Sequence, residues 1–314
     1  LKKLKIIFAG TSDFSAEHLK MLINSSQSII AVITKPDLPS GRGQKIIFSP
    51  VKKIAINNKI PLLQPKNLND KSFQKKLSTL NLDIMIVVSY GKIIPQEILN
   101  IFPNGCINVH PSLLPRWRGS SPIQSSILHG DKKTGISIIK MNEKIDSGNI
   151  LHVIECNISP KDTTQTLSIK LMKIGIQALS EVLKKISKNI IFERQQDEKN
   201  AILSKKIYKT DGLLNWNLEA IKLERLIRAF NPWPICYFFL NNQTIKVWEA
   251  NVINILNSNS KIGEIISCNK NGIQINTFNN VLNIKKLQFP GKKIMHIKNI
   301  LNSTHNLFPV GVVI

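Results

Sequence analysis

Asn108 and His110 stand two residues apart in the segment CINVHPSLLPRWRGSSP, residues 106–122. In an extended strand, residues i and i+2 point to the same face, so an amide and an imidazole project together. An amide N–H donates to an oxygen that is gaining negative charge, and an imidazole exchanges protons near neutral pH, so the pair suits attack on a carbonyl carbon. Asp146, in the loop MNEKIDSGNI, offers a carboxylate that would hold the imidazole in one tautomer or raise its pKa, and Gly148 beside it allows close backbone approach. On spacing alone a structural reading stands beside the catalytic one, because a lone histidine next to a proline is commonly structural and Asp-Ser-Gly is a common turn. Ser112 and Ser147 are poorer candidates as acyl nucleophiles, since neither sits in a G-x-S-x-G elbow. The remaining histidines have no ligand-like spacing, so no metal site is expected.

Such a pair must be carried on a strand end. The first half of the chain alternates short apolar runs with polar, helix-like stretches, the signature of βαβ units and a mostly parallel sheet. Strands are predicted at 5–9, 29–34, 83–88, 106–109, 135–141 and 150–155, with helices after the first and the third. In open α/β sheets ligands bind at the carboxyl ends of strands, where residues 108 and 110 fall. The first strand runs into Gly10-Thr11-Ser12-Asp13, not G-x-G-x-x-G, so the sheet does not imply a nicotinamide cofactor. Apolar residues at spacings of three and four from Leu167 to Val182 predict a helix over 164–186 that Asp162-Thr163 caps.

A chain of 314 residues is long enough for two domains. The expected division is a domain over 1–188, a polar linker over 189–206, and a smaller unit over 207–314. In the last of these, short runs separated by Asn, Gly, Ser and Lys predict antiparallel strands closing a small barrel, preceded by a helix over 218–230.

The formal charge of +23 points to phosphate-rich polymers or anionic surfaces as partners. Part of that excess has a compositional source, because the chain is saturated with Lys, Ile and Asn. Residues 1–205 carry a net +15 and residues 206–314 a net +8, so both halves are basic. Within TKPDLPSGRGQKIIFSPVK, residues 34–52, three prolines and two glycines predict an irregular loop. Its Lys35, Arg42 and Lys45 suit a phosphate backbone, and the competing reading is a solvated surface loop. Four scattered cysteines predict reduced thiols of a cytoplasmic protein. The N-terminal LKKLKIIFAG reads as a strand rather than a signal peptide, and no stretch approaches a membrane span.

Taken together, CINVHPSLLPRWRGSSP and MNEKIDSGNI resemble the formyltransferase family that uses 10-formyltetrahydrofolate. The segments KPDLPSGRGQ, AFNPWPICYF and KIYKTDGLLNW extend the resemblance over nearly the whole chain and narrow it to the branch that acts on methionyl initiator tRNA. The resemblance implies an α/β, Rossmann-like catalytic domain with a mostly parallel sheet, followed by an OB-like β-barrel that helps bind tRNA. It places the catalytic trio on Asn108, His110 and Asp146 and the tetrahydrofolate-binding stretch on Ser112, Leu113, Leu114 and Pro115. It also brings the loop around Arg42 to the tRNA acceptor end. Ser120-Ser121 replaces a pair of alanines associated with the motif. Two other readings are kept: formyl transfer to a small amine, and a nucleic-acid-binding protein whose sheet is structural. A monomer is expected, and Arg116 and Arg118 either pin their loop or face anionic substrates.

Overall fold

The computed structural model describes residues 3–40, 45–255, 260–303 and 307–314. Chain contacts divide it into two units. One comprises Leu1–Pro122, Lys133–Asn157 and Ser168–Ser204, the other Ile123–Lys132, Ile158–Leu167 and Lys205–Ile314.

In the first unit, Ile84–Val88 is apolar and buried at every position, as a central strand covered on both faces must be. It pairs in parallel with Lys5–Gly10 on one side and Cys106–His110 on the other. Ser28–Ile33 and the short Leu62–Leu63 extend the parallel part beyond Lys5–Gly10. At the opposite edge Lys133–Lys140 and Ile150–Asn157 run antiparallel. The result is a seven-stranded, mostly parallel sheet.

The helix Asp13–Ile23 follows the first strand as predicted, with the Ser12 side chain accepting from the Ser15 N–H at its start. The helix expected after the third predicted strand is present but short and delayed, Gln96–Leu99. Ser89 takes a positive φ of 44° there and Pro95 blocks earlier helical pairing, so residues 89–94 are a loop at the strand's carboxyl end. The long helix Thr164–Ser187 is present, and Thr163 and Thr166 cap its start reciprocally, each hydroxyl accepting the other's N–H. Within segment 34–52 the described residues form more regular structure than their prolines suggested. Pro39–Ser40 pairs with Lys45–Ile46, and Pro50 opens the helix Pro50–Asn57 behind a Ser49 cap.

His18 is wholly buried on the Asp13–Ile23 helix. Its Nδ1 donates to the Phe14 carbonyl at 2.7 Å, and its bare Nε2 has no partner. Gly175 makes room for it, since a Cβ there would lie 2.7 Å from that nitrogen. Burial lowers the His18 pKa from 6.5 to about 4, so the unfolded chain binds this proton first as pH falls. Stability is therefore full above about pH 6.5 and is lost progressively toward pH 4, by about 2 kcal/mol at pH 5. Urea midpoints measured at pH 8 and pH 5 should show this loss, and His18→Leu should flatten it; an equal acid limb in that variant would assign the effect elsewhere.

In the second unit the predicted antiparallel strands run in the hydrogen-bonded order Cys236–Leu240, Gln243–Ile253, Val281–Gln288, Gly272–Asn276, Ile265–Asn269, and Met295–His296 adds to Val281–Gln288. Asn241 and Asn242, with φ of 48° and 60°, make the two-residue turn that the first hairpin's twist requires. The helix Ala220–Ala229 buries Leu223 and Ile227.

Candidate active site

A cavity of about 510 Å³ opens at the carboxyl ends of Ile84–Val88 and Cys106–His110, a size usual for small-molecule sites. Its walls include residues 89–94, the loop 141–146, Gly119, Asn108 and His110. Lys92 anchors the first of these loops by donating to the carbonyls of Pro65 and Lys66 at 2.8 and 2.9 Å.

The structure brings Asn108, His110 and Asp146 together. The Asn108 amide donates to Asp146 Oδ1 at 3.1 Å. Asp146 Oδ2 accepts from the Gly119 N–H at 2.8 Å and lies 3.5 Å from His110 Nδ1. The expected pairing of this carboxylate with the imidazole is therefore present, and on the other side of the ring His110 Nε2 donates to the Trp117 carbonyl at 2.9 Å. Asp146 acts first on Asn108, fixing which way its amide points. One amide hydrogen is committed to that bond, and the second is the donor the site can offer a substrate oxygen.

Asp146 sits at a φ of 50°, a conformation that costs a non-glycine residue about 1–2 kcal/mol and persists only where surroundings hold it. Gly148 lies so close to the neighbouring strand that a Cβ would fall 1.8 Å from the Lys140 carbonyl oxygen. Gln196 spans the outside of this turn. Its amide donates to the carbonyls of Asp146 and Gly148, both at 2.8 Å. Its oxygen accepts from Arg118 Nε and Nη2 at 3.0 and 2.9 Å, and the same guanidinium grips Glu198 at 2.9 and 2.7 Å. Arg118 thereby holds the Glu198 carboxyl below the usual carboxylate range. Of the two arginines left open by the sequence, Arg118 is an internal pin and Arg116 stacks over the Trp117 ring at 4.2 Å.

Ser112, Leu113, Leu114 and Pro115, expected to contact tetrahydrofolate, form a turn next to His110, and the cavity lining includes its neighbours His110 and Pro111. Ser112 is fully buried and donates to the Arg116 carbonyl. Ser137 Oγ ties the turn by donating to the Ser112 carbonyl and accepting from the Leu114 N–H, and Leu114 packs on Ile139 and Ile150. The turn supports the wall from behind. Of the basic loop residues, Lys35 brings Nζ within 2.5 Å of where a Gly91 Cβ would sit, beside the cavity wall. Lys45 pairs through its backbone with Ser40, and Arg42 lies outside the described residues. Gln196, the Trp117 carbonyl and the Gly119 N–H escaped sequence reasoning. Gln196 stands in a polar stretch that resembled a linker, and backbone groups leave no residue-type signal.

Among the described residues no helix is long and apolar enough to cross a membrane, and no cluster of three or more His, Cys, Asp or Glu is placed to hold a metal. The Asn108, His110 and Asp146 side chains meet at the carboxyl ends of parallel strands, where open α/β sheets bind their ligands. Residues 2–183 match the formyl transferase family and residues 206–305 match the formyl transferase C-terminal domain, and the chain belongs to that family. It is 68% identical over 314 residues, the whole of both chains, to methionyl-tRNA formyltransferase of Buchnera aphidicola subsp. Acyrthosiphon pisum. Among solved structures it resembles an N-formyltransferase from Helicobacter canadensis in complex with folinic acid and dTDP-3-aminofucose, with a TM-score of 0.67 at 17% identity over 90% of this chain and 99% of that one. HypX from Aquifex aeolicus in complex with tetrahydrofolic acid gives 0.65 at 13% identity over 96% of this chain and 47% of that one. At these identities the two structures establish the fold.

Proposed function

We propose that the chain transfers the formyl group of 10-formyltetrahydrofolate to the free α-amine of methionyl initiator tRNA, in the cytoplasm and as a monomer. The observation that carries this reading is the Asn108 amide, aimed by Asp146 in the wall of a cavity sized for a folate donor, in a chain alike along its whole length to methionyl-tRNA formyltransferases.

The amine nitrogen bonds to the formyl carbon, negative charge develops on the formyl oxygen, and the carbon's bond to the folate nitrogen then breaks. Asn108 donates its second amide hydrogen to that oxygen. Asp146 holds Asn108 in place, together with the Gly119 N–H. His110, seated by the Trp117 carbonyl, uses Nδ1 for the proton that leaves the amine and must reach the departing folate nitrogen. No covalent enzyme intermediate is needed, because a positioned, deprotonated amine is already a nucleophile. The turn of Ser112, Leu113, Leu114 and Pro115 serves the donor site by shaping the cavity wall. Lys35, Arg42 and Lys45 bind the acceptor arm of the tRNA.

The full chain, given 10-formyltetrahydrofolate and methionyl initiator tRNA, should release tetrahydrofolate and yield formylmethionyl-tRNA. A chain that formylates a nucleotide-linked amino sugar and leaves the charged tRNA untouched would instead be a small-amine enzyme, and one that binds the tRNA without turnover would be a binding protein. Apparent affinity for tRNA should fall steeply with salt, and Arg42→Ala should lower the slope of log affinity against log salt by about one. An unchanged slope would remove Arg42 from the contact.

A further inference from the structure

We propose that Gln196 is a positioning residue for the reaction: gripped by Arg118, it holds the Asp146 turn in the conformation that aims Asn108. The proposal rests on the reading of Asp146 as the carboxylate of the site. Three observations carry it.

Gln196 is buried, with 5% of its surface exposed, and all its amide contacts are used in one direction of force. Both described amide donor bonds go to the backbone of the Asp146 turn, at Asp146 and Gly148, and its oxygen is taken by Arg118. A side chain that only filled space there would need no such match of donors to acceptors. Asp146 stands at positive φ, a conformation that aspartate tolerates but that its surroundings must hold, and the Gln196 donors reach the carbonyls of Asp146 and Gly148 on either side of Ser147.

The segment that carries Gln196 also builds the other side of the site. Ile202–Ser204 pairs in parallel with Arg116–Gly119, and Ser204 Oγ donates to the Arg118 carbonyl and accepts from the Ser121 N–H. Arg116–Gly119 supplies the Trp117 carbonyl that seats His110 and the Gly119 N–H that holds Asp146. One stretch of chain, predicted as a linker, therefore braces both the carboxylate turn and the strand opposite it, and Arg118 is the tie between them. Groups that orient the residues contacting substrate typically matter by about 10- to 100-fold in activity.

The test uses the full chain with Gln196→Glu, Gln196→Met, Asp146→Ala and the double variant of Gln196→Glu with Asp146→Ala. Rates are measured in single turnover, so that slow variants remain readable, alongside steady-state KM for methionyl-tRNA and 10-formyltetrahydrofolate. Glutamate still accepts from Arg118 but turns a carboxylate oxygen toward the carbonyls of Asp146 and Gly148. Methionine keeps the volume and removes every bond, and if it fails to fold, the glutamate variant tests the same donors. Gln196→Glu should lower kcat about 10- to 100-fold with both KM values within about threefold. In the Asp146→Ala background it should change the rate less than about threefold, because a residue that acts through Asp146 has nothing left to position. Wild-type kcat in Gln196→Glu, a loss confined to KM, or losses that multiply in the double variant would each overturn the proposal. Asp146→Ala at the wild-type rate would instead overturn the reading of Asp146 beneath it.

Discussion

Asn108→Asp should fold as the parent does and lose about 10²–10³ in kcat, equivalent to about 2.7–4 kcal/mol of barrier. The replacement is nearly isosteric, so cavity shape and packing stay as they are. What changes is the donor: an amide nitrogen 3.1 Å from Asp146 Oδ1 becomes a carboxylate oxygen. No N–H remains for the developing oxyanion, and the like charge at that separation raises the pKa of one of the two carboxylates. Because the lost bond strengthens only as charge builds on the formyl oxygen, KM for both substrates should stay within a few-fold. A second signature separates this account from general damage. Protonating the pair restores an O–H donor, so the variant's residual rate relative to the parent should rise as pH is lowered from 8 to 6. Full activity in Asn108→Asp, or a rise in KM with kcat unchanged, would show that Asn108 binds substrate in its ground state and does no more.

Gly148→Ala should impair both stability and turnover. A Cβ at this position would lie 1.8 Å from the Lys140 carbonyl oxygen and 2.8 Å from its carbon. Both are backbone atoms of a strand, and that strand is tied to the turn by the Lys140 N–H donating to the Asn149 carbonyl at 2.9 Å. Neither side can give by rotating a side chain, so the turn must lift. Overpacking of this kind typically costs about 1–3 kcal/mol. The same lift moves Asp146, two residues earlier, away from Asn108 and the Gly119 N–H, so kcat should fall at least about tenfold. Thermal melts and formyl-transfer kinetics on the one variant check both effects. Loss of stability with unchanged kcat would mean that the Asp146 turn repositions freely and that its geometry does not limit the reaction.

How far the residues alone could be read is clearest from three places. Ile84–Val88 and Asp13–Ile23 were legible because their signals are local: an unbroken apolar run, and a serine cap ahead of a periodic stretch. The Ser112 to Pro115 turn was legible as rigid, but its direction was not. Which way it faces depends on Ser137, a residue 25 positions from Ser112, whose hydroxyl takes both its bonds from the turn. The stretch from residue 189 to 206 was the least legible. Its polarity fits a solvated connection equally well, and nothing local reveals that Gln196 finds carbonyls 48 and 50 residues earlier in the chain.

The sequence by itself determined the mostly parallel sheet, the antiparallel second unit, and the presence of an amide and an imidazole at a strand end and a carboxylate in a loop, because side-chain periodicity and glycine and proline placement act over a few residues. Only the tertiary structure decided what each of the three touches. The Trp117 carbonyl seats His110, Asp146 turns toward Asn108, and Arg118 with Gln196 holds Asp146 where it stands. These are hydrogen bonds, several of them to backbone atoms, between segments up to 78 residues apart, and backbone donors and acceptors are the same at every position until folding brings a particular pair together.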